Sequence, residues 1–119
     1  MEEKLYFYKA KVTGVYDGDT CTVDIDLGLH TWIHDEKIRL ARIDAPELRG
    51  ETRDQGLKSR DCLRQLILDK EVFVETKKDK KEKYGRYLGE FWSLNDQGKY
   101  FNVNDKMLEE GFAVPYKTD

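Results

Sequence analysis

Residues 39–47 read Arg39-Leu40-Ala41-Arg42-Ile43-Asp44-Ala45-Pro46-Glu47. They continue an apolar run, and residues 37–43 are predicted to form a central strand because apolar residues fall on both of its faces. Pro46 has no backbone N–H to donate, so the strand is expected to stop before it. An arginine in such a strand is costly unless it meets an opposite charge. We therefore expect Arg39 to pair with the carboxylates that follow it or to bind an anionic ligand.

Two segments before this stretch alternate between apolar and polar residues. Residues 6–13 and residues 21–27 both show a period of two, which is typical of half-buried strands. Residues 14–18 contain two glycines and are predicted to form the turn between these strands. In the hairpin that follows the second strand, His30 and His34 lack the helical setting that would make their four-residue spacing a zinc site.

After the central strand the pattern changes to helix and then back to strand. The segment from about Glu51 to Asp69 is predicted to be helical, and strands are predicted at residues 71–75 and 86–92. A turn at residues 95–98 precedes a short helix from Asn102 through Glu110, which Asn102 is expected to cap. The apolar stripe of the first helix consists of Ser59, Cys62, Leu63, Leu66 and Ile67.

This order of elements predicts an α+β fold that is mainly β. Five strands, with one longer helix after the third strand and a short C-terminal helix, match a five-stranded Greek-key barrel of the OB type. At 119 residues, with no repeat or linker, the chain is expected to form a single domain over residues 1–119. Aromatic side chains at alternating strand positions are expected to pack in the core or across strands rather than to stack on bases. They are Tyr6, Tyr8, Phe91, Tyr100 and Phe101.

The composition excludes some classes of protein. Charged residues make up 38% of the chain, and no apolar run approaches the length of a membrane span. The first residues lack the basic-then-apolar layout of a secretory signal, so the protein is expected to be cytoplasmic or phage-encoded and intracellular, and secreted only if it has been trimmed. Cys21 and Cys62 fit neither a disulfide framework nor a zinc site; they are expected to be buried thiols, with a single bridge as the alternative.

The net charge of −3 argues against a surface that coats duplex DNA, which needs many phosphate contacts. Some of the acids are expected to belong to a cation site. Basic residues concentrate between Lys77 and Arg86, where five lysines and one arginine face two acids. Such a hairpin tip is usually a solvated turn, but this one leads into Arg86 and is consistent with phosphate steering.

Four short motifs occur in order along the chain. They are Asp17-Gly18-Asp19-Thr20, Arg39 with Asp44-Ala45-Pro46-Glu47, Lys83-Tyr84-Gly85-Arg86, and the helix from Asn104 to Gly111. Each has an ordinary explanation alone, as a turn, a strand end, a hairpin tip or a capped helix. Together they resemble the staphylococcal nuclease-like (thermonuclease, SNase-like) family over nearly the whole chain. The chain is similar to a short variant that lacks the further C-terminal helix of secreted members.

The resemblance implies one calcium ion per domain. Asp19 and Asp44 match the family's carboxylate ligands, and the backbone carbonyl of Ala45 matches a third ligand. Carboxylate and carbonyl oxygens are the ligands that Ca²⁺ prefers. The family usually has threonine where this chain has Ala45, and a backbone carbonyl survives that change.

The resemblance also implies catalytic roles. Glu47 matches the family's general base or water-orienting residue. Arg39 and Arg86 match the two arginines that grip the phosphate and offset the charge that develops on its oxygens. Arginine suits this role because it stays protonated and presents a planar fork to two oxygens.

For substrate binding the resemblance adds three residues. Lys83 and Tyr84 match residues that contact the neighbouring phosphate, and Tyr116 lies near the family's site-lining tyrosines. The implied partners are DNA and RNA, preferably single-stranded or flexible. The protein is expected to act as a monomer and not to associate with a membrane.

The function implied by the resemblance is that of a calcium-dependent endonuclease that hydrolyses phosphodiester bonds of DNA and RNA with little sequence specificity and leaves 3′-phosphate ends. The first alternative is a catalytically silent module of the same family that binds nucleic acid or a protein partner. A purely structural OB-type interaction domain is the second alternative. The enzyme is favoured because every charged residue of the expected site is present, namely Asp19, Arg39, Asp44, Glu47 and Arg86. The acidic balance predicts weaker or more salt-sensitive substrate binding than in the basic secreted members.

Overall fold

The structure is a computed structural model that describes residues 5–81 and 86–116, without the side chains of residues 78–81. Within these residues, eight strands and two helices follow one another along the chain. The strands are β1 (Phe7–Asp17), β2 (Thr20–Gly28), β3 (Thr31–Leu40), β4 (Ile43–Asp44), β5 (Glu71–Lys81), β6 (Tyr87–Leu94), β7 (Tyr100–Asn102) and β8 (Val114–Pro115). The helices are α1 (Arg53–Ile67), which a 3₁₀ turn at Gly50–Thr52 precedes, and α2 (Val103–Glu109).

Five of the strands close into a barrel. Their order is β3-β2-β1-β5-β6 with antiparallel neighbours, and a parallel pairing of β3 with β6 completes the circle. In that pairing Arg39 lies opposite Leu88. β7 extends the sheet beside β6, and β4 pairs with β8 in a separate two-stranded sheet. The predicted α+β barrel of the OB type is therefore confirmed, with both helices at their predicted places.

The first strand is longer than the sequence predicts. β1 continues to Asp17 through the segment that was expected to be a turn. Register shifts after Val12 and after Val15 take up the extra residues as bulges, which bend the strand without ending it. The turn is consequently confined to Gly18 and Asp19.

The third strand also differs from its predicted bounds. It begins at Thr31, and it ends at Leu40 rather than at residue 43, because Ala41 and Arg42 form a turn before β4. Arg42 adopts a φ of +71° in this turn. The apolar run gives no sign of the break, since Ala41 and Ile43, on either side of Arg42, are both buried.

Side chains from the barrel interior, α1 and α2 form the core. The largest fully buried ones include Ile38, Leu40, Ile43, Leu63, Ile67, Phe91 and Met107. Asn102 caps α2 as predicted, because its Oδ1 accepts from the backbone N–H of Asp105 at 2.8 Å. Cys21 and Cys62 are free thiols. Across the described residues, every helix is too short or too polar to cross a lipid bilayer.

Candidate active site

The turn between β1 and β2 and the end of β3 form the centre of the candidate site. Asp19 lies in that turn, and the residue after it, Thr20, pairs with Arg39 across the β2–β3 ladder. Nη2 of Arg39 lies 3.3 Å from Oδ2 of Asp19 and 3.3 Å from Oδ1 of Asp44. The arginine that was expected to need an opposite charge therefore meets two carboxylates from separate segments.

Asp19 is buried, and hydrogen bonds fix its carboxylate. Oδ2 accepts from the backbone N–H of Ala45 at 2.9 Å, and Oδ1 accepts from the hydroxyl of Thr20 at 3.1 Å. Asp44 is by contrast 55% exposed. Because the bond to Ala45 draws the start of the loop after β4 against Asp19, both predicted carboxylates and the Ala45 backbone meet at one place.

This set of donors suits a hard divalent cation. The two carboxylates contact the same nitrogen of Arg39, which brings them to one side of the guanidinium group. The oxygens of Asp19, Asp44 and a backbone carbonyl are of the kind that Ca²⁺ takes. Among residues 5–81 and 86–116, no group of three or more His, Cys, Asp or Glu side chains is arranged to hold a metal ion. A cation here would therefore depend on two carboxylates supplemented by carbonyl and water oxygens.

Asp17 adds a carboxylate that the sequence interpretation left without a role. Its Oδ1 accepts from the backbone N–H of Asp19 at 3.0 Å. Burial, followed by the hydrogen bond and the charge of the Asp19 side chain, raises the pKa of Asp17 to about 6. The turn between β1 and β2 thus brings two carboxylates close together, and a positive charge beside the turn stabilises their ionised forms.

Arg86 reaches the same turn from the other side of the barrel closure. It immediately precedes β6, whose first residues pair with the end of β3. Its Nη1 donates to the hydroxyl of Thr20 at 3.0 Å. Both predicted phosphate-binding arginines therefore converge on the Asp19–Thr20 corner. Lys83 and Tyr84, the other predicted contacts on this connection, lie outside the described residues.

Tyr116 approaches the site through the C-terminal segment. Val114 pairs with Asp44 in the β4–β8 sheet, and the backbone N–H of Tyr116 donates to the carbonyl of Arg42 at 2.8 Å. Cζ of Arg39 lies 4.8 Å from the centre of the Tyr116 ring, which is a cation–π contact. Arg39, Arg42 and Tyr116, together with Leu88, line a cavity of about 610 Å³.

Glu47 lies on the loop after β4 and faces solvent. Its side chain is 74% exposed, and its Oε2 lies 3.7 Å from Nε of Arg49 rather than beside Arg39. The backbone of the loop is fixed by packing on α1. The Glu47 carbonyl accepts from the Thr52 hydroxyl at 2.9 Å, and a β-carbon on Gly56 would lie 2.4 Å from the same carbonyl oxygen. A glycine in α1 therefore lets the loop lie against the helix, while the carboxylate extends outward.

The structure also contains an ionic cluster that the sequence interpretation missed. Nε and Nη2 of Arg42 each donate to one oxygen of Glu90 at 2.7 Å, and Nη2 donates to Oδ1 of Asp105 at 2.8 Å. These bonds, first to Glu90 and then to Asp105, raise the pKa of Arg42. A signal existed in the sequence, because Arg42 and Glu90 are opposite charges within two separate apolar runs. The cluster holds the turn between Arg39 and Asp44 in its left-handed conformation.

Two further contacts position the site backbone. Asn104 is fully buried, and its amide donates to the carbonyls of Ala41 and Gly89 at 2.9 and 3.0 Å, which joins α2 to the turn after β3. At Gly18, a β-carbon would lie 1.8 Å from Oγ of Ser59 in α1. The turn that carries Asp19 therefore packs directly on the helix, and the close approach requires glycine.

His34 takes part in a contact away from this site. Its Nδ1 lies 3.3 Å from Oδ1 of Asp24 on the neighbouring strand. The backbone N–H of Asp35 also donates to Asp24, and chiefly for that reason the pKa of Asp24 lies below its usual value. The pair is part of the surface of the β2–β3 hairpin.

Comparisons with known proteins identify relatives of this chain. A family model described as "Staphylococcal nuclease homologue" matches residues 37–119. A thermonuclease of Staphylococcus intermedius is 34% identical over 105 residues, covering 86% of this chain and 56% of that protein. An uncharacterized endonuclease of Haemophilus influenzae is 33% identical over 107 residues, covering 90% of this chain and 52% of that protein. An uncharacterized protein of Methanocaldococcus jannaschii is 28% identical, covering 92% and 59%. The chain thus spans little more than half the length of the curated relatives it matches.

Proposed function

The chain belongs to the staphylococcal nuclease family, and on that premise we propose that it is a calcium-dependent endonuclease of DNA and RNA with little sequence preference. It acts as one domain and as a monomer, prefers single-stranded or flexible substrates, and leaves 3′-phosphate ends. The observation that carries the proposal is the meeting of Asp19, Asp44 and Arg39 at distances of 3.3 Å. Arg86, bonded to the adjacent Thr20, supplies a second guanidinium at the same corner.

In this proposal the acids bind the cation and the arginines bind the phosphate. Asp19, Asp44 and the carbonyl of Ala45 would hold the calcium ion, which when bound supplies positive charge to a phosphate oxygen. Arg39 has five N–H donors, and its nitrogens Nη1 and Nη2 meet the Leu40 carbonyl and the two carboxylates. Its remaining donors, together with Arg86, bind the phosphate oxygens and offset the charge that develops on them.

Glu47 completes the hydrolysis. It accepts a proton from a water molecule whose oxygen attacks phosphorus. The 5′ oxygen leaves with the bonding electron pair and takes up a proton from solvent, so the phosphate stays on the 3′ side. The Glu47 carboxylate is exposed to water, as this role requires, and its loop is anchored to α1. Lys83, Tyr84 and Tyr116 bind the neighbouring part of the substrate in this scheme.

The test is cleavage of denatured DNA with calcium and with chelator. We expect cutting that requires calcium, 3′-phosphate product ends, and a loss of about 10²- to 10⁴-fold in kcat for Glu47→Gln. Glu109→Gln, an exposed residue of α2, is the matched control and should retain the native rate. Binding of DNA without cutting under all metals would refute the proposal and support the catalytically silent module instead.

A further inference from the structure

A second cavity opens at the end of the barrel where β2 turns into β3. It measures about 210 Å³, and the buried side chains of Ile25 and Ile38 lie within its lining. Three partly exposed tyrosines, Tyr6, Tyr8 and Tyr87, also line it. None of these five residues has a role in the hydrolysis proposed above.

This tyrosine-lined cavity shares one lining residue, Lys77, with the cavity at the candidate active site. Lys77 lines it and also lines the larger cavity that contains Arg39 and Tyr116. The pairing of β5 with β6 shifts register between Thr76 and Lys81, so the ladder is irregular where Lys77 lies. Lys77 is therefore placed to contact a nucleic-acid strand that has a phosphate at Arg39 and extends toward the second cavity.

The lining of the second cavity suits a nucleobase. Bases stack on aromatic side chains whatever their sequence, and a lysine beside the cavity can hold the intervening phosphate. The volume of about 210 Å³ is below the roughly 300–1,000 Å³ of pockets for larger ligands. A single base therefore fits better than a whole nucleotide. Glu36 and Thr76 add polar groups at the lining that can meet the edge of the base.

We propose that the tyrosine-lined cavity binds a base of the substrate strand next to the nucleotide in the active site, with Lys77 on the phosphate between them. This inference rests on the proposed nuclease function and deepens it. A base can enter such a cavity only after it has left its pair and its stack, which costs a few kcal/mol in a duplex and little in a single strand. The cavity therefore supplies a physical reason for a preference for single-stranded substrates.

The first experiment compares a thymidine dinucleotide with a long oligothymidylate in the presence of calcium. For the native chain, kcat/KM should be higher on the long oligothymidylate than on the dinucleotide. Tyr8→Leu and Lys77→Ala should each raise KM for the long substrate and so reduce that gain about tenfold. Tyr16→Leu and Lys99→Ala, exposed residues that line neither cavity, are the matched controls and should keep the full gain. If Tyr8→Leu and Lys77→Ala keep it as well, the subsite is excluded while the nuclease stands.

The second experiment does not depend on cleavage. Oligothymidylate that carries one 5-iodouracil at successive positions is irradiated with the native chain and the cross-linked peptides are mapped. We expect cross-links to Tyr6, Tyr8 or Tyr87 from one position of the strand. Cross-links elsewhere, or equally from all positions, would overturn the inference even in a chain that proves unable to cut. Should Tyr8→Leu fail to fold, Ile33→Ser on the rim of the same cavity replaces it, with Leu94→Ser as its equally exposed control.

Discussion

Replacing Arg42 by alanine should remove a large part of the stability of the fold. The side chain of Glu90 is 9% exposed, and both of its oxygens accept from Arg42 at 2.7 Å. Asn102, at 3.1 Å, would then be its remaining partner among the hydrogen bonds of the described residues. Removing one member of a buried ion pair costs about 3–5 kcal/mol. Because Arg42 itself is 47% exposed, we expect a loss near the lower limit, about 3 kcal/mol.

Two companion variants separate the ion pair from the backbone. Arg42 has a φ of +71°, a conformation that costs a residue other than glycine roughly 1–2 kcal/mol. Arg42→Gly loses the same ion pair but relieves this strain, so we expect it to lose about 2 kcal/mol. Arg42→Ala combined with Glu90→Leu removes the unpaired buried charge and should recover most of the loss.

Urea unfolding followed by tryptophan fluorescence, with chelator present, measures all three variants against the native chain. The expected order of stability is native, then the double variant and Arg42→Gly, then Arg42→Ala. A loss below about 1 kcal/mol in Arg42→Ala would mean that the cluster behaves as an ordinary surface ion pair. A glycine variant less stable than the alanine variant would refute the argument from backbone strain.

The other expectations concern packing, catalysis and the cation. Gly18→Ala places a methyl group 1.8 Å from Oγ of Ser59, so thermal unfolding should show a loss of about 1–3 kcal/mol. Gly14→Ala, whose nearest neighbour would be 3.8 Å away, is the control, and equal losses would contradict the packing. Arg39→Lys keeps the charge without the planar fork, so kcat on denatured DNA should fall by about 100-fold or more. A rate close to native would exclude a bidentate grip on the phosphate. Calcium should stabilise the native chain, by about 2.7 kcal/mol at 100 times its Kd, but not Asp44→Asn. A melting-temperature shift that survives in Asp44→Asn would place the cation elsewhere.

The barrel could be predicted because its strands follow the period of two. The alternation in residues 6–13 and 21–27 indicated β1 and β2, and the cap at Asn102 indicated the start of α2. The predicted bounds were wrong where a local backbone feature interrupts a uniform pattern. The bulges in β1 and the left-handed turn at Arg42 are such features. Both have hydrogen bonds to residues distant in sequence, from Arg64 to the carbonyl of Val15 and from Arg42 to Glu90.

The site was predicted in part for a similar reason. The spacing of Arg39 and Asp44 along one segment made their ion pair foreseeable, and the structure brings them together. The additional carboxylate of Asp19 reaches Arg39 only because β2 and β3 pair side by side. The bond between Arg42 and Glu90 joins two segments that come together only when the barrel closes and α2 packs beside it. The spacing of residues within either segment does not indicate this contact. Long-range pairs of charges are therefore the part of such a site that a single sequence hides.

The hydrogen bond from Tyr116 to the carbonyl of Arg42 has a consequence for when activity can appear. It joins the last described residue to the turn between β3 and β4, while Arg86 reaches Thr20 across the closed barrel. Contacts between residues so far apart in sequence form late in folding, because the entropy of closing long loops opposes them. A chain still emerging from the ribosome, or one whose C-terminal strand has opened, therefore holds an incomplete phosphate site. The proposed cleavage is in this way confined to the native state.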